Sequence, residues 1–398
     1  MTDFSKNIWI INQYGGSSKH GMTFRSFFLA KEFNKNHTVR IFSASFSHVM
    51  TKPPKIKETV THETIEGVNF TWLKVPVYYK SKSIKRVLSM FHFLFRTLTL
   101  NTAHFEKPDI IIVSSPSPLP IFSAYLWSKK YNAKLIFEVR DIWPLSITEI
   151  GKVSKLNPLI ILFQLTENFA YRVSSYVVSV LPKAFDHMKS HGLTKEKFVY
   201  IPNGIEINEQ LISNERKSKT FCIGYAGTFG LANALHFLLH AAELTISQKV
   251  EYHLLGTGPE KENLEHIVKN KNLSNVFIHD PVPKHQVNSF LKKMDALFIG
   301  LCNKEVFKYG ISPNKLFDYF LSSKPIIFSV NAGNDPVADA KAGISVRPEN
   351  PELIAQAVLK LYNLSEGERK SMGENGRKYV EKHHSYQQLA KQYEQLFV

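Results

Sequence analysis

Phe221-Cys222-Ile223-Gly224-Tyr225-Ala226 runs straight into Gly227-Thr228-Phe229-Gly230-Leu231-Ala232-Asn233, and Ala234 to Thr245 follows at helical spacing. An uninterrupted apolar run of six residues reads as a strand covered on both faces. The glycines then turn the chain, and Asn233 is placed to cap the helix. This is one strand–turn–helix unit, and the same rhythm recurs along the chain. In the second half the strands read Val250 to Leu255, Asn275 to His279, Ala296 to Leu301, Pro325 to Val330 and Gly343 to Val346. In the first half they read Ile8 to Ile11, Thr38 to Phe42, Ile110 to Val113, Leu135 to Val139, Tyr176 to Leu181 and Phe198 to Ile201. The pattern predicts an α/β protein with two doubly wound, Rossmann-like domains. The boundary is expected at Pro202-Asn203-Gly204 and the polar stretch Asn208 to Thr220. That gives domains over 1–205 and 206–384. A last helix from about Ser385 to Phe397 carries Tyr386, Leu389, Ala390, Tyr393, Leu396 and Phe397 on one apolar face. His383 and His384 before it read as cap and surface residues.

The chain has 398 residues, 43% hydrophobic and 21% charged, which excludes a disordered or low-complexity protein. Two cysteines, Cys222 and Cys302, cannot build a disulfide framework or a cysteine-rich zinc site, so a reducing compartment is expected. No apolar run is long enough to cross a bilayer, and Met1 to Ile11 reads as a first strand rather than a signal peptide. The net charge of +16 is unevenly spread. Residues 1–205 hold 27 lysines and arginines against 13 acidic residues, a balance of +14; the remainder holds 23 against 21, or +2. The first domain therefore seeks an anionic partner. The helix from Ser83 to Leu100 puts Ile84, Val87, Leu88, Phe91, Leu94, Phe95 and Leu98 on one stripe, with Lys85, Arg86, His92 and Arg96 off it. Such a stripe either faces the core or lies in a membrane surface.

In doubly wound sheets the chemistry sits in the loops after the strands. Gln13-Tyr14-Gly15-Gly16-Ser17-Ser18-Lys19-His20-Gly21 follows the first strand and is either an anion cradle or a flexible turn. It has neither dinucleotide-binding nor P-loop spacing. Phe137-Glu138-Val139-Arg140-Asp141-Ile142-Trp143-Pro144 ends a buried strand. There Asp141 is placed to accept a proton and Arg140 to hold a phosphate, unless the two form a structural pair. Gly227 to Asn233 and Gly256-Thr257-Gly258-Pro259 are further glycine turns. The most informative segment is Lys308-Tyr309-Gly310-Ile311-Ser312-Pro313-Asn314-Lys315-Leu316-Phe317-Asp318. Ser312 reads as N-cap and Pro313 as the first helical residue, so the N–H groups of Asn314 and Lys315 are offered to phosphate beside the Lys315 charge. Asp318 is one turn on, ready for sugar hydroxyls, or else paired with Lys315. No zinc-binding His-Glu-x-x-His and no Asp-x-Asp pair is present.

Taken in order, Glu138-Val-Arg-Asp-Ile-Trp-Pro144, Ile201-Pro-Asn-Gly204, Gly227 to Gly230, Gly256-Thr-Gly258 and Gly310 to Asp318 resemble the retaining glycosyltransferases of family 4, and within them the surface-polysaccharide branch that includes N-acetylfucosamine transferases. The resemblance spans essentially the whole chain. It implies the GT-B fold, with two Rossmann-like domains facing a cleft and the last helix returning to the first. It implies a nucleotide-sugar donor held by the second domain, through Gly227, Thr228, Gly230, Asn233, Gly256, Gly258, Val282, Pro283 and the segment Gly310, Ile311, Ser312, Pro313, Asn314, Lys315 and Asp318. Asp318 takes the ribose, the amides of Ser312 to Lys315 the diphosphate, and Val282-Pro283 the base. The acceptor, a lipid-linked saccharide, falls to Gly15, Gly16, Ser17, His20 and Arg140 of the first domain. Asp141 and Lys315 are the catalytic candidates. No metal or other cofactor is expected, and an anionic membrane surface is the expected site of work. Two departures stand out. The family's Glu eight residues before the ribose carboxylate is Gly310 here, and the Arg and Lys that many relatives carry after the first strand of the second domain are absent. The closer branch shares both. A nucleotide-sugar epimerase of the same fold and a nucleic-acid-binding protein are the rival readings. No element interleaves basic and aromatic residues as the second would need.

Overall fold

The computed structural model describes residues 5–21, 24–79, 83–207 and 220–398. The chain divides into two compact units, one formed by Met1–Asn203 with Tyr386–Val398 and the other by Gly204–Ser385. Residues 208–219, where the polar boundary stretch was expected, lie outside the described residues.

Unit 1 is built on β1 (Asn7–Ile11), β2 (Thr38–Ala44), β3 (Val60–Ile65), β4 (Val68–Leu73), β5 (Ile110–Ser114), β6 (Lys134–Val139), β7 (Tyr176–Ser179) and β8 (Phe198–Tyr200). Its helices are α1 (Arg25–Phe33), α2 (Ile84–Leu98), α3 (Ile121–Tyr131), the short α4 (Leu145–Glu149), α5 (Pro158–Val173) and the short α6 (Phe185–Met188). The sheet order is β3-β4-β2-β1-β5-β6-β7-β8, and every pairing is parallel except β3 with β4. The hairpin β3–β4 was not foreseen. Its first strand is polar from Thr61 through Thr64, with no apolar run to mark it, because it edges the sheet. The β-strands that were foreseen are the buried central ones, β5 without an exposed residue.

One face of this sheet is closed by α1 and by the chain's last helix, α14 (Tyr386–Glu394). Phe33 packs edge-on to Tyr393 at 5.9 Å and to Phe397 at 5.4 Å, and Phe28 stacks on Tyr386 at 5.1 Å. All six apolar residues expected on that helical face are buried. Each such side chain contributes about 1.5 to 3 kcal/mol. The helix therefore belongs to unit 1 although unit 2 precedes it in sequence. The other face carries α2, α3 and α5 side by side, joined through Met90, Leu119 and Phe163.

Unit 2 comprises β9 (Phe221–Ala226), β10 (Val250–Leu255), β11 (Val276–His279), β12 (Ala296–Gly300), β13 (Ile326–Ser329) and β14 (Gly343–Val346), all parallel in the order β11-β10-β9-β12-β13-β14. Its helices are α7 (Leu235–Leu244), α8 (Lys261–Asn270), α9 (Lys284–Lys292), α10 (Asn314–Leu321), α11 (Pro336–Asp339), α12 (Pro351–Asn363) and α13 (Glu366–His384). The strand order reverses between β9 and β12, so the loops after these two strands flank the switch point where such sheets bind ligands. His384 is not a surface residue: it is buried against Phe317, 4.5 Å between rings. Among the described residues no helix is long and apolar enough to cross a membrane.

Candidate functional site

The switch point of unit 2 gathers β9, its following loop and the start of α10 around one amine. Lys315 Nζ donates to Tyr225 Oη and to Asn233 Oδ1, both at 2.7 Å, and sits 4.5 Å from the centre of the Tyr225 ring. No carboxylate among the described residues forms an ion pair with it. Burial accordingly pushes its pKa down to about 7. In its ammonium form a buried lysine held by two neutral oxygens has a third proton to donate, and it lacks a counter-charge. Tyr319, one turn further along the same face of α10, fixes this arrangement: its hydroxyl accepts from Ala226 N–H at 2.7 Å, which ties the helix to the end of β9.

The glycines around the amine do different work. A Cβ on Gly227 would lie 3.3 Å from Lys315 Nζ and from Tyr225 Oη, so this glycine leaves open the space in front of the amine. A Cβ on Gly256 would fall 1.9 Å from the Gly227 carbonyl oxygen, and one on Gly258 2.5 Å from that of Phe229. These two residues let the β10 loop pack under the β9 loop, sealed by Phe229 N–H donating to Thr257 O at 2.8 Å. They shape the cradle from below rather than facing it. Thr228 is exposed, and its carbonyl accepts from Tyr225 Oη at 2.8 Å and Asn233 Nδ2 at 3.0 Å.

Two expectations about caps and one about an ion pair are corrected here. Asn233 does not cap α7. It ends a short turn, Leu231–Asn233, and Ala234 with φ +51° starts the helix without a side-chain cap. The Asn233 side chain is instead spent on Thr228 and Lys315. Ser312 does not cap α10 either: Pro313, with extended backbone, holds that place, and the helix begins at Asn314. Nor does Lys315 pair with Asp318. The helix start still offers the N–H groups of Asn314 and Lys315, which have no intrahelical acceptor. The amides before them are used differently from the expectation: Gly310 N–H donates to Phe307 O at 2.9 Å, and Ile311 N–H to Asn334 Oδ1 at 2.8 Å. Ile311 is a buried anchor whose backbone Asn334 grips from both sides, its amide returning to Ile311 O at 3.1 Å.

Gly310 has φ +105°, in the left-handed half of the map, and lies against the Gly333 backbone. The chain's departure from the family Glu is thus a departure of backbone, not of side chain alone. Asp318, one turn into α10, is 7% exposed and accepts from Lys284 Nζ at 2.5 Å. Burial raises its pKa, and Lys284 works in the opposite direction. Lys284 opens α9 directly after Val282-Pro283, where Pro283 is the cap and Val282 leans on the core. Sequence reasoning missed Lys284, Tyr225 and Asn334. Only the folded chain brings Lys284 to a carboxylate 34 positions away, although its place behind a proline cap was visible.

In unit 1 the loop after β1 is packed more tightly than a flexible turn. Gly15, Gly16 and Ser17 are buried; Ser43 Oγ holds the Asn12 and Gly15 carbonyls at 2.8 Å each. His20 is 2% exposed, against Trp72 at 4.8 Å, with Ser17 Oγ 3.0 Å from Nδ1. Its ring is occupied by protein, which argues against the direct acceptor contact expected of it. Arg140 and Asp141 form no ion pair with each other. The Asp141 carboxylate accepts from Ser146 Oγ in the first turn of α4, and burial raises its pKa. Arg140 lends its charge to Glu138 without an ion pair to it, and its Nε is buried with no hydrogen-bond partner among the described residues. That carboxylate is fully buried and accepts from Arg25 Nε at 2.8 Å, from Ser114 Oγ at 2.5 Å and from Tyr393 Oη. Burial alone would raise its pKa, but Arg25 and Arg140 bring it down to about 2. Arg25 also donates to the Ile201 carbonyl at 3.1 Å and to that of Pro202, so the network ties α1, β6, α14 and the end of the unit together.

One group among the described residues reaches metal-ligating spacing: Cys222 with Glu251 and His253. The Glu251 carboxylate is 3.2 Å from His253 Nε2 and 3.8 Å from Cys222 Sγ. It begins near the amino ends of β9 and β10, away from the carboxyl ends where Lys315 stands, and arises from strand register that spacing could not reveal.

The family models agree with this geometry. "Glycosyltransferase Family 4" matches residues 21–209 and "Glycosyl transferases group 1" matches residues 220–364. The chain is a family 4 glycosyltransferase. Its fold is that of solved GT-B enzymes. It is similar to sucrose-phosphate synthase from Thermosynechococcus elongatus, with TM-score 0.74, 13% identity and 98% of each chain covered. It is also similar to Anabaena Alr3699/HepE in complex with UDP and glucose, at TM-score 0.67, 13% identity and 98% and 99% coverage. A glycosyltransferase from Rickettsia africae gives 0.66, 15%, and 99% and 98%. No curated protein matches this glycosyltransferase in sequence.

Proposed function

We propose that this glycosyltransferase moves a sugar from a nucleoside diphosphate, UDP being the first choice, to a lipid-linked saccharide in surface-polysaccharide (capsule or O-antigen) assembly. The family resemblance, down to the N-acetylfucosamine transferase branch, suggests retention at the anomeric carbon. The observation that carries the donor site is Lys315: a buried amine with its pKa near 7, no carboxylate beside it, and a glycine-lined space in front. A diphosphate there supplies the missing charge and takes the N–H groups and dipole at the start of α10. The ribose then falls to Asp318, displacing or sharing Lys284, and the base to Val282-Pro283. The HepE complex with UDP supports the choice of base.

The chemistry asks for stabilisation of a leaving diphosphate whose charge grows in the transition state. Fixed N–H groups and Lys315 do this in a site of low dielectric, without a metal ion. The departing phosphate oxygen takes the acceptor's proton. Unit 1 holds the acceptor, and its +14 charge suits an anionic lipid carrier and the inner face of the cytoplasmic membrane. Asp141, anchored at the start of α4, positions that side.

The test is incubation with a panel of nucleotide sugars, with and without a lipid-linked acceptor extract, following nucleotide release and labelled product. Sugar transfer dependent on the extract supports the reading. Conversion of the donor sugar without any acceptor assigns the chain to epimerisation instead.

A further inference from the structure

Helix α2 exposes most of its apolar stripe. Ile84, Leu88, Phe91, Phe95 and Leu98 are 80%, 55%, 39%, 55% and 44% exposed, while Val87 and Leu94 are half-buried. The face it lays on the sheet buries Ser89 and Thr97 beside Met90 and Phe93. Thr97 meets its need locally, donating to Leu94 O at 2.8 Å, while Ser89 Oγ is buried with no partner. A helix whose stripe repeats at four and three residues normally turns that stripe to the core. Here five of the seven stripe residues face outward, so most of the stripe is left for a partner other than the core.

The neighbouring helices extend the same surface. Leu126 of α3 is 56% exposed, and Ile161 and Leu165 of α5 are 46% and 61% exposed. The charge on this layer has one sign. Lys85, Arg86 and Arg96 stand on α2, Lys129 and Lys130 on α3, and Arg172 on α5, whereas the sole carboxylate of the three helices, Glu167, is buried. A protein partner's core would match the leucines and phenylalanines, but not helices whose exposed charges are all lysine and arginine. An apolar stripe flanked by lysine and arginine matches the acyl–headgroup boundary of an anionic bilayer.

We propose that the outer face of the α2, α3 and α5 layer docks unit 1 on an anionic lipid bilayer, with α2 lying in the interface plane. This deepens the membrane part of the proposed function and rests on it. The same helix reaches the candidate acceptor side. Arg86 Nε donates to Tyr14 Oη at 3.2 Å, and its guanidinium lies 5.5 Å from the rings of both Tyr14 and Trp143. Tyr14 belongs to the loop after β1 and Trp143 to the segment after β6. A bilayer on the outside of α2 is thus one helix thickness from the loops assigned to a lipid-linked acceptor.

The experiment is vesicle flotation of the full chain with phosphatidylglycerol-rich or pure phosphatidylcholine vesicles, with no donor or acceptor present. The parent should float with the anionic vesicles, and added salt should weaken this. Phe91→Asp/Phe95→Asp should lose at least about tenfold in binding, since charge is placed where apolar side chains enter the interface. Its thermal midpoint and UDP affinity should stay those of the parent, because both side chains are outside the core. Lys129→Glu/Lys130→Glu should bind less and lose most of the salt dependence. The proposal is overturned if the parent floats with neither vesicle, or if the Phe91/Phe95 variant floats like the parent. It is equally overturned if that variant turns a parent dimer into a monomer in light scattering while flotation is absent. Flotation needs no turnover, so its failure leaves the transferase reading standing, and failure to transfer sugar leaves the docking result intact.

Discussion

Replacing Lys315 by methionine should make the free protein more stable and unable to hold its nucleotide. The lysine's pKa is about 7 in the folded chain against an ordinary 10.5. Each unit of such a shift is roughly 1.4 kcal/mol of disfavoured charging. Two hydrogen bonds return part of this, about 0.5 to 1.5 kcal/mol each. Lys315→Met keeps the length and the packing, and Tyr225 keeps its bond to Thr228. Tyr225 Oη and Asn233 Oδ1 each lose a donor, but the tyrosine hydroxyl keeps its other bond. The net expectation is a gain of about 1 to 3 kcal/mol near neutral pH. The sign with pH follows from proton counting. Between about pH 7 and 10 the unfolded chain keeps a proton on this lysine that the folded chain has shed, so the parent's stability rises with pH there. The variant lacks that rise. Urea unfolding of both proteins near pH 7 and pH 9, with and without UDP, reads all three effects. A variant less stable than the parent, or one stabilised equally by UDP, would refute the reasoning.

Asp318→Ala should weaken nucleotide affinity by roughly one to two orders of magnitude, the loss of a charge-assisted hydrogen bond to the ribose, with the fold intact by circular dichroism. Gly310→Glu, which restores the family residue, should lower stability by about 1 kcal/mol or more and not raise turnover, because the backbone at φ +105° excludes a side chain; thermal melts and initial rates check it. Glu138 is held down to about 2, below its ordinary 4.5, so its contribution is complete above pH 5 and lost as pH falls toward 2. Glu138→Gln should flatten that acid limb in unfolding experiments and destabilise by about 3 kcal/mol or more at neutral pH, leaving Arg25 buried without its anion. Turnover should survive a chelator, since Lys315 and the α10 amides supply the positive field; loss of rate restored by Mg²⁺ or Mn²⁺ counts against it.

The two parallel sheets were legible because their central strands are apolar without interruption, and because Gly227, Asn233 and Pro313 punctuate the turns. The hairpin Val60–Leu73 was not, since an edge strand reading Thr61-His62-Glu63-Thr64 resembles a loop. Within the site, the Ser312 to Asp318 segment could be located from spacing, but its partners could not. Lys315 meets Tyr225 and Asn233, and Asp318 meets Lys284, only through strand order and helix packing. The same holds for Arg140, which was expected to hold a phosphate or else pair with Asp141 and instead lends its charge to the buried Glu138. Amphipathic period gave the α2 stripe but not its direction. Direction depends on what the sheet beneath accepts, here Ser89 and Thr97 with Met90 and Phe93.

The central claim is that a diphosphate completes the charge of Lys315. Calorimetric titration of UDP at about pH 8, in two buffers of different ionisation enthalpy, tests it directly. In the free protein the amine is mostly neutral at that pH, and the bound diphosphate draws it back to the ammonium form. The account predicts uptake of close to one proton, about 0.9, on binding, and none in Lys315→Met if residual binding can be measured. Binding whose heat is the same in both buffers would contradict it.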